Sequence, residues 1–150
     1  MIMVRQPMLI ESTPDILFVE DDAGDAELTL SILAERGLGE RVAHVADGSE
    51  ALDYIAGTRG APAAIKLILL DLNLQKMGGL HVLRQLKSDE RTKRIPVVVL
   101  TSSRMAIELV ESHKLGVNSY VIKPVDADKF AEIISEIGHY WLLVNELPPQ

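Results

Sequence analysis

The sequence predicts a doubly wound α/β domain, in which helices cover both faces of a five-stranded parallel sheet. Five short apolar runs alternate along the chain with five segments of helical character. Most of these runs are continuous rather than alternating, which is typical of strands buried on both faces of a parallel sheet. Right-handed crossovers leave few topologies, and the doubly wound sheet is the commonest of them for a chain of 150 residues.

The predicted strands are short apolar runs that end at acidic, hydroxyl or lysine residues. Pro14 precedes the first run and Pro96 opens the fourth, whereas the second run is weak. In chain order, we expect strands at 16–19, 42–45, 67–70, 97–100 and 117–122.

The predicted helices are delimited by glycine and proline. The first has apolar residues at helical spacing and acidic residues at its N-terminal end, and Gly37 terminates it. Gly79 precedes the third helix, Gly116 ends the fourth, and Pro148 prevents continuation of the last. In chain order, we expect helices at 25–36, 49–56, 80–88, 104–115 and 126–144.

Composition and charge exclude several classes of protein. With 47% hydrophobic and 25% charged residues, the chain has the composition of a globular domain. It has no cysteine, which excludes disulfides, thiolate metal sites and cysteine nucleophiles. A net charge of −7 argues against a nucleic-acid-binding face, and no apolar run reaches the roughly 20 residues that span a bilayer. We therefore expect a cytoplasmic protein with neither nucleic-acid nor membrane partners.

Charged and hydroxyl residues follow four of the five predicted strands. Because the carboxyl ends of parallel strands meet at one edge of a sheet, where ligands bind, we expect these side chains to share a shallow pocket. Crowded carboxylates repel one another, and a hard divalent cation such as Mg²⁺ relieves that repulsion. The residues are, in chain order, Glu20, Asp21, Asp22, Asp71, Thr101, Ser102 and Lys123.

Asp71 is the predicted nucleophile of this pocket, because carboxylates accept phosphoryl groups to form acyl phosphates. A metal on Asp21 and Asp71 would neutralise one side of the phosphoryl group. Lys123 would neutralise another side as a point charge, and the Thr101 hydroxyl would bond a phosphoryl oxygen.

Each of these residues taken alone also has an ordinary structural interpretation. Asp22 or Asp25 would cap the first helix, and Asp71 would be a turn residue. Lys123 would be a surface lysine, and the Thr101 hydroxyl would bond the backbone at a strand end. Their coincidence at four strand ends favours the site.

Four motifs lie at the predicted strand ends in a fixed order and spacing. They are ILFVEDD at 16–22, LLDLNL at 69–74 with the following Gly-Gly pair, VLTS at 99–102 and YVIKP at 120–124. Together they closely resemble the receiver domain of two-component response regulators. The resemblance implies a flavodoxin-like strand order 2-1-3-4-5 and a receiver domain at 15–144, with an N-terminal extension at 1–14 and a C-terminal tail at 145–150.

The resemblance also implies which residues bind phosphate and metal. Asp71 would be the phosphoacceptor. The cofactor Mg²⁺ would be held by Asp21, Asp71 and the backbone carbonyl of Asn73, and by Glu20 through water.

The same resemblance implies a conformational switch. Thr101 and Tyr120 would form the switch pair, and Lys123 would contact the phosphoryl group. Asn73 and Ser103 occupy positions at which receivers tune dephosphorylation.

Two further expectations concern local backbone structure. Where receivers often have Leu-Pro after the phosphoacceptor, this chain has Leu74-Gln75, a change that we expect to loosen the loop without affecting the chemistry. In this family the bond corresponding to Lys123–Pro124 is usually cis, an isomer that proline permits at low cost.

The expected function is that of a stand-alone response regulator. It would accept a phosphoryl group from a sensor histidine kinase onto Asp71 and switch its helix 4–strand 5–helix 5 face. It would catalyse its own phosphoryl transfer and autodephosphorylation without being an enzyme in the usual sense. The segments DAEL at 25–28, GVNSY at 116–120 and YW at 140–141 resemble regulators that partner bacterial phytochromes. The alternative is a phosphorylation-independent, receiver-like dimeric interaction module.

The last predicted helix carries a candidate interface. Leu142 and Leu143 lie off its apolar stripe, and with Trp141 we expect them to form an exposed patch where two copies meet in a two-fold homodimer. The alternative is that this end folds back on its own domain. The stripe itself, expected to face the core or a seam, contains Phe130, Ile133, Ile134, Ile137, Trp141 and Val144.

Overall fold

Five parallel strands form one sheet in the order β2-β1-β3-β4-β5. The computed structural model describes residues 14–57 and 64–148. The observed order confirms the predicted doubly wound sheet, 2-1-3-4-5. Apart from Pro14, the predicted extension lies outside the described residues, as do the last two residues of the predicted tail. The strands are β1 (Ile16–Val19), β2 (Val42–Val45), β3 (Leu67–Leu70), β4 (Val97–Thr101) and β5 (Ser119–Ile122).

Helices cover both faces of this sheet because successive strand residues point to opposite sides. Ile16 and Phe18 of β1 pack with the helices α1 and α5, whereas Leu17 and Val19 pack with α2 and α3. The helical elements are α1 (Ala23–Glu35), a 3₁₀-helix (Gly39–Arg41), α2 (Gly48–Ala56), α3 (Gly79–Ser88), α4 (Ala106–Lys114), α5 (Ala127–His139) and a π-helical turn (Tyr140–Val144). No helix among the described residues is long and apolar enough to cross a bilayer.

The start of α1 decides between the two capping residues that the sequence left open. Asp22 is the N-cap, since its Oδ1 accepts a hydrogen bond from the backbone N–H of Asp25 at 2.9 Å. Capping satisfies one of the unpaired amides at the helix start. The Asp25 side chain is therefore available for another partner.

Gly79 allows α3 to begin directly against the end of β3. Its N–H donates to the backbone oxygen of Leu72 at 3.2 Å. A Cβ at this position would lie 2.5 Å from the backbone oxygen of Asp71. Only glycine therefore fits here without moving the backbone that carries Asp71.

The chain beyond α5 departs from the predicted straight helix. Residues 140–144 form a π-helical turn, closed by a 2.7 Å bond from the N–H of Asn145 to the oxygen of Tyr140. A π-turn contains more residues than an α-turn, so the side chains after it face new directions. Leu142 is consequently 5% exposed and packs in the core, whereas Val144 is 53% exposed. The expectation of an exposed Leu142 is therefore wrong, and Val144 does not face the core of its own domain.

The other predicted positions of this helix agree with the structure. Phe130, Ile134 and Ile137 are buried. Of the candidate interface, Trp141 is half-buried and Leu143 is exposed. The end of the helix therefore folds partly onto its own domain.

Candidate functional site

Three carboxylates converge at the carboxyl ends of β1 and β3. Glu20 and Asp21 directly follow β1, and Asp71 directly follows β3. Because these strands are paired neighbours, one carboxylate oxygen of each residue lies within 4.8 Å of the other two. Glu20 is 1% exposed and Asp71 is 5% exposed, whereas Asp21 is half-buried. The cluster is thus a largely desolvated set of hard oxygen donors.

A cavity of about 460 Å³ opens over this carboxylate cluster. Strand ends and the loops that follow them supply its lining, as expected for a doubly wound sheet. The lining residues are Asp21, Asp22, Ala23, Asp25, Asp71, Asn73, Gln75, Ser102 and Lys123.

A backbone amide orients each carboxylate of the cluster. A carboxylate has two oxygens with about four acceptor positions, so each residue keeps room for a second partner. The bonds run from the N–H of Asp22 to Glu20 Oε2 (3.2 Å), of Gln75 to Asp21 Oδ2 (2.9 Å), and of Asn73 to Asp71 Oδ1 (3.0 Å).

Lys123 supplies positive charge to the cluster from the end of β5. Its Nζ donates to Glu20 Oε1 at 2.8 Å, to Asp25 Oδ2 at 2.9 Å and to Asp71 Oδ2 at 3.3 Å. Burial alone would lower the pKa of Lys123, but these carboxylates outweigh it and raise that pKa above its ordinary value. The side chain therefore stays charged beside the predicted phosphoacceptor.

The Glu20 carboxyl group has a pKa well above its ordinary value. Burial raises its pKa from 4.5 to about 8, and the neighbouring Asp71 adds to the rise while Lys123 opposes it. A proton on Glu20 relieves repulsion among the carboxylates when no cation binds. A bound divalent cation would do the same and would release that proton.

Thr101 is tied to the loop that follows the predicted phosphoacceptor. It is fully buried at the end of β4. Its Oγ1 accepts from Asn73 Nδ2 and from the N–H of Ser103, both at 3.3 Å. The structure thus joins Thr101 to the site, and it also contains the strand-end backbone bond that was the ordinary alternative.

Tyr120 contacts the loop between β4 and α4, which contains Ser103. Its hydroxyl donates to the backbone oxygen of Ser103 at 3.2 Å, and burial raises the pKa of this half-buried phenol. Ser103 therefore contacts both Thr101 and Tyr120.

The described peptide bonds include no cis bond, so Lys123–Pro124 is trans and the expected cis isomer is wrong. Trans is the isomer that an X–Pro bond itself prefers.

Two residues of the site were not assigned to it from the sequence. Asp25 was interpreted only as a possible cap, yet its carboxylate bonds Lys123. The sequence predicts that Leu74-Gln75 leaves the chemistry unaffected, and it gives Gln75 no contact with the site, yet the Gln75 N–H bonds Asp21. The absence of the usual proline was the signal that could have found this bond, because proline has no N–H.

The family follows from a comparison with known proteins. A family model described as "Response regulator receiver domain" matches residues 16–135, a range that includes the cluster and Lys123. The chain belongs to the response regulator receiver family. Receiver domains bind Mg²⁺ at an acidic pocket, and the all-oxygen donor set of Glu20, Asp21 and Asp71 fits that cation.

The relatives of this receiver include regulators of phytochrome systems. Response regulator Rcp1 from Synechocystis sp. is 34% identical over 92% of this chain and 97% of its own length. A crystal structure of its Mn²⁺-bound form has a TM-score of 0.79 at 31% identity and covers 91% of this chain and all of that chain. The phosphorylated cyanobacterial phytochrome response regulator RcpA has a TM-score of 0.82 at 37% identity, covering 92% of this chain and 100% of that chain.

An archaeal relative has a different described role. The probable methanogenesis regulatory protein FilR2 from Methanothrix harundinacea is 39% identical over 89% of this chain and 86% of its own length. The receiver is therefore a response regulator homologous to phytochrome response regulators, within a family whose described roles vary.

Proposed function

We propose that this receiver accepts a phosphoryl group on Asp71 from a sensor histidine kinase in a Mg²⁺-dependent reaction. One observation carries the proposal. Lys123 Nζ lies 3.3 Å from Asp71 Oδ2, and oxygens of Glu20, Asp21 and Asp71 lie within 4.8 Å of one another. A buried nucleophile between an ammonium group and an all-oxygen metal site is suited to phosphoryl transfer, which depends on positioning and charge neutralisation.

The transfer exchanges one bond to phosphorus for another. A carboxylate oxygen of Asp71 bonds to the phosphorus of the kinase phosphohistidine as the P–N bond breaks, and the released imidazole nitrogen takes up a proton. When held by Asp21, Asp71 and the backbone carbonyl of Asn73, with Glu20 through water, Mg²⁺ supplies positive charge to the phosphoryl oxygens. Lys123 supplies the second positive charge as an ammonium already beside Asp71.

The contacts of Ser103 suggest how the switch operates. The Thr101 hydroxyl turns toward the new phosphoryl group and gives up its bond from the Ser103 N–H. The backbone oxygen of Ser103 accepts the Tyr120 hydroxyl, so a shift of this loop also changes the support of Tyr120. The α4–β5–α5 face then changes, with Asn73 and Ser103 setting how fast the acyl phosphate is lost.

The proposed partners follow from the relatives and from the exposed surface. Because Rcp1 and RcpA are close relatives and RcpA is described as a phytochrome response regulator, we assign a cytoplasmic phytochrome-type histidine kinase as partner. A homodimer would form through the α4–β5–α5 face, where Ile107 and Val110 are exposed. The receiver domain would span 15–144, between an extension at 1–14 and a tail at 145–150.

Intact mass after incubation with acetyl phosphate and Mg²⁺ tests the phosphoacceptor directly. We expect the wild type to gain one phosphoryl group, and Asp71→Asn and the metal-chelated wild type to gain none. Asp22→Asn is the matched control, because it lies in the same pocket and asparagine keeps the helix cap. A phosphorylated Asp71→Asn would place the acceptor elsewhere. A wild type that neither acetyl phosphate nor a histidine kinase phosphorylates would favour the phosphorylation-independent interaction module.

The raised pKa of Glu20 predicts how the stability of the metal-free protein depends on pH. Between pH 4.5 and about 8, Glu20 keeps its proton in the native state and loses it in the unfolded chain. The stabilisation that comes from this proton is complete below pH 4.5, and it is lost as the pH rises through about 8. We expect the unfolding free energy to fall by roughly 2 kcal/mol from pH 6 to pH 8, at about 1.4 kcal/mol per pH unit. Urea titrations with and without Mg²⁺ measure it. The slope should disappear in Glu20→Gln, and Mg²⁺ should stabilise the wild type most at pH 8; an equal slope in both proteins contradicts the prediction.

A further inference from the structure

The backbone amide of Gln75 reaches the carboxylate cluster from the β3–α3 loop. Its N–H donates to Asp21 Oδ2 at 2.9 Å. Asp21 differs from its neighbours, because Lys123 Nζ contacts Glu20 and Asp71 and makes no such contact with Asp21. Among the described residues, the Gln75 amide is thus the donor that sets the direction of the Asp21 carboxylate.

The loop that carries this amide is anchored in the core. Leu72 and Leu74, on the approach to Gln75, are both 6% exposed. The oxygen of Leu72 also accepts the N–H of Gly79 at the start of α3. The amide is therefore presented by a fixed backbone, and its effect on Asp21 does not depend on the exposed Gln75 side chain.

We propose that Gln75 is a positioning residue for metal binding, acting through its backbone N–H on Asp21. The inference rests on the proposed function, since it concerns the same metal site. With Oδ2 held by the amide, Asp21 keeps its other oxygen for a cation shared with Glu20 and Asp71. Donors behind a metal ligand fix its orientation, and their loss typically weakens metal affinity by about 10- to 100-fold.

The residue type at position 75 decides whether this donor exists. Every residue except proline supplies a backbone N–H. The Leu74-Gln75 sequence therefore gives Asp21 a partner that a Leu-Pro sequence at the same place would remove. The residue at position 75 would then influence metal affinity without being a metal ligand itself.

Titration with Mn²⁺, followed by electron paramagnetic resonance of the free ion, measures this effect without requiring phosphorylation. We expect Gln75→Pro to bind Mn²⁺ about 10-fold more weakly than the wild type. Gln75→Ala keeps the N–H and should bind within about twofold of the wild type, which separates the amide from the side chain. Melting temperatures of the metal-free variants check that both variants still fold.

The outcomes separate this inference from the function on which it rests. A wild type that binds no Mn²⁺ would refute the metal site itself. A wild type that binds, with Gln75→Pro binding equally well or more tightly, would overturn the role of Gln75 alone. Hydrogen exchange of the wild-type Gln75 amide provides a test if the proline variant does not fold. Protection that persists at saturating Mg²⁺ is expected, whereas protection lost on Mg²⁺ addition would show that the amide competes with the cation and overturn the inference.

Discussion

Helices α4 and α5 flank β5 in the chain but are attached to the domain in very different ways. The side chain of Asp126 caps α5 by accepting from the N–H groups of Asp128 and Lys129. The helix then buries an apolar stripe against the sheet. By contrast, α4 has no side-chain cap, and Ser112 is its buried residue.

The polarity of α4 is reversed relative to an ordinary surface helix. Ser112 Oγ and Glu108 Oε1, one turn apart, are shielded from solvent without a hydrogen-bond partner among the described residues. Ile107 and Val110 are instead 64% and 49% exposed. A helix usually turns its apolar face inward, so α4 gains little stability from burial.

This difference teaches which element can respond to the site. The Ser103 side chain accepts the N–H of Met105 at the start of α4, and the backbone of Ser103 contacts Thr101 and Tyr120. If the proposed switch shifts Thr101, we expect α4, which buries little apolar surface, to respond. We expect the well-anchored α5 to stay in place.

The test with the largest expected effect makes one isoleucine-to-alanine substitution in each helix. Ile134→Ala in α5 removes a fully buried side chain and should lower the unfolding free energy by about 2–5 kcal/mol. Ile107→Ala in α4 removes an exposed side chain and should change it by no more than about 0.5 kcal/mol. Urea unfolding of both variants measures the two values. Comparable losses would mean that α4 is anchored as firmly as α5.

Much of the fold could be predicted because strands buried on both faces of a sheet are continuous apolar runs in the sequence. The runs at 16–19 and 67–70 have no polar residue and end at acids, so both their extent and their buried ends were readable. The same logic located Glu20, Asp21, Asp71 and Lys123, since strand ends of a parallel sheet meet at one edge.

The features that were missed depend on backbone groups and on hydrogen-bond register. The Gln75 amide belongs to the main chain, and side-chain chemistry gives no sign of it. The role of Asp25 became readable only after Asp22 was seen to be the cap. Apolar periodicity predicts an outward-facing Leu142 because it assumes α-helical geometry to the end of the helix. The π-turn after α5 instead rotates the Leu142 side chain inward.

A smaller test uses serine-to-alanine substitutions in the same two helices. Both changes gain similar helix propensity, so their difference isolates the hydroxyl group. Ser112→Ala removes a buried, unpartnered hydroxyl from α4 and should raise the unfolding free energy by about 1 kcal/mol more than Ser135→Ala. Ser135→Ala removes an acceptor for Arg36 Nε at 2.9 Å in α5, so any gain there is offset. Equal effects in urea unfolding would show that Ser112 has a partner in solution, and the reversed polarity of α4 would then cost the domain nothing.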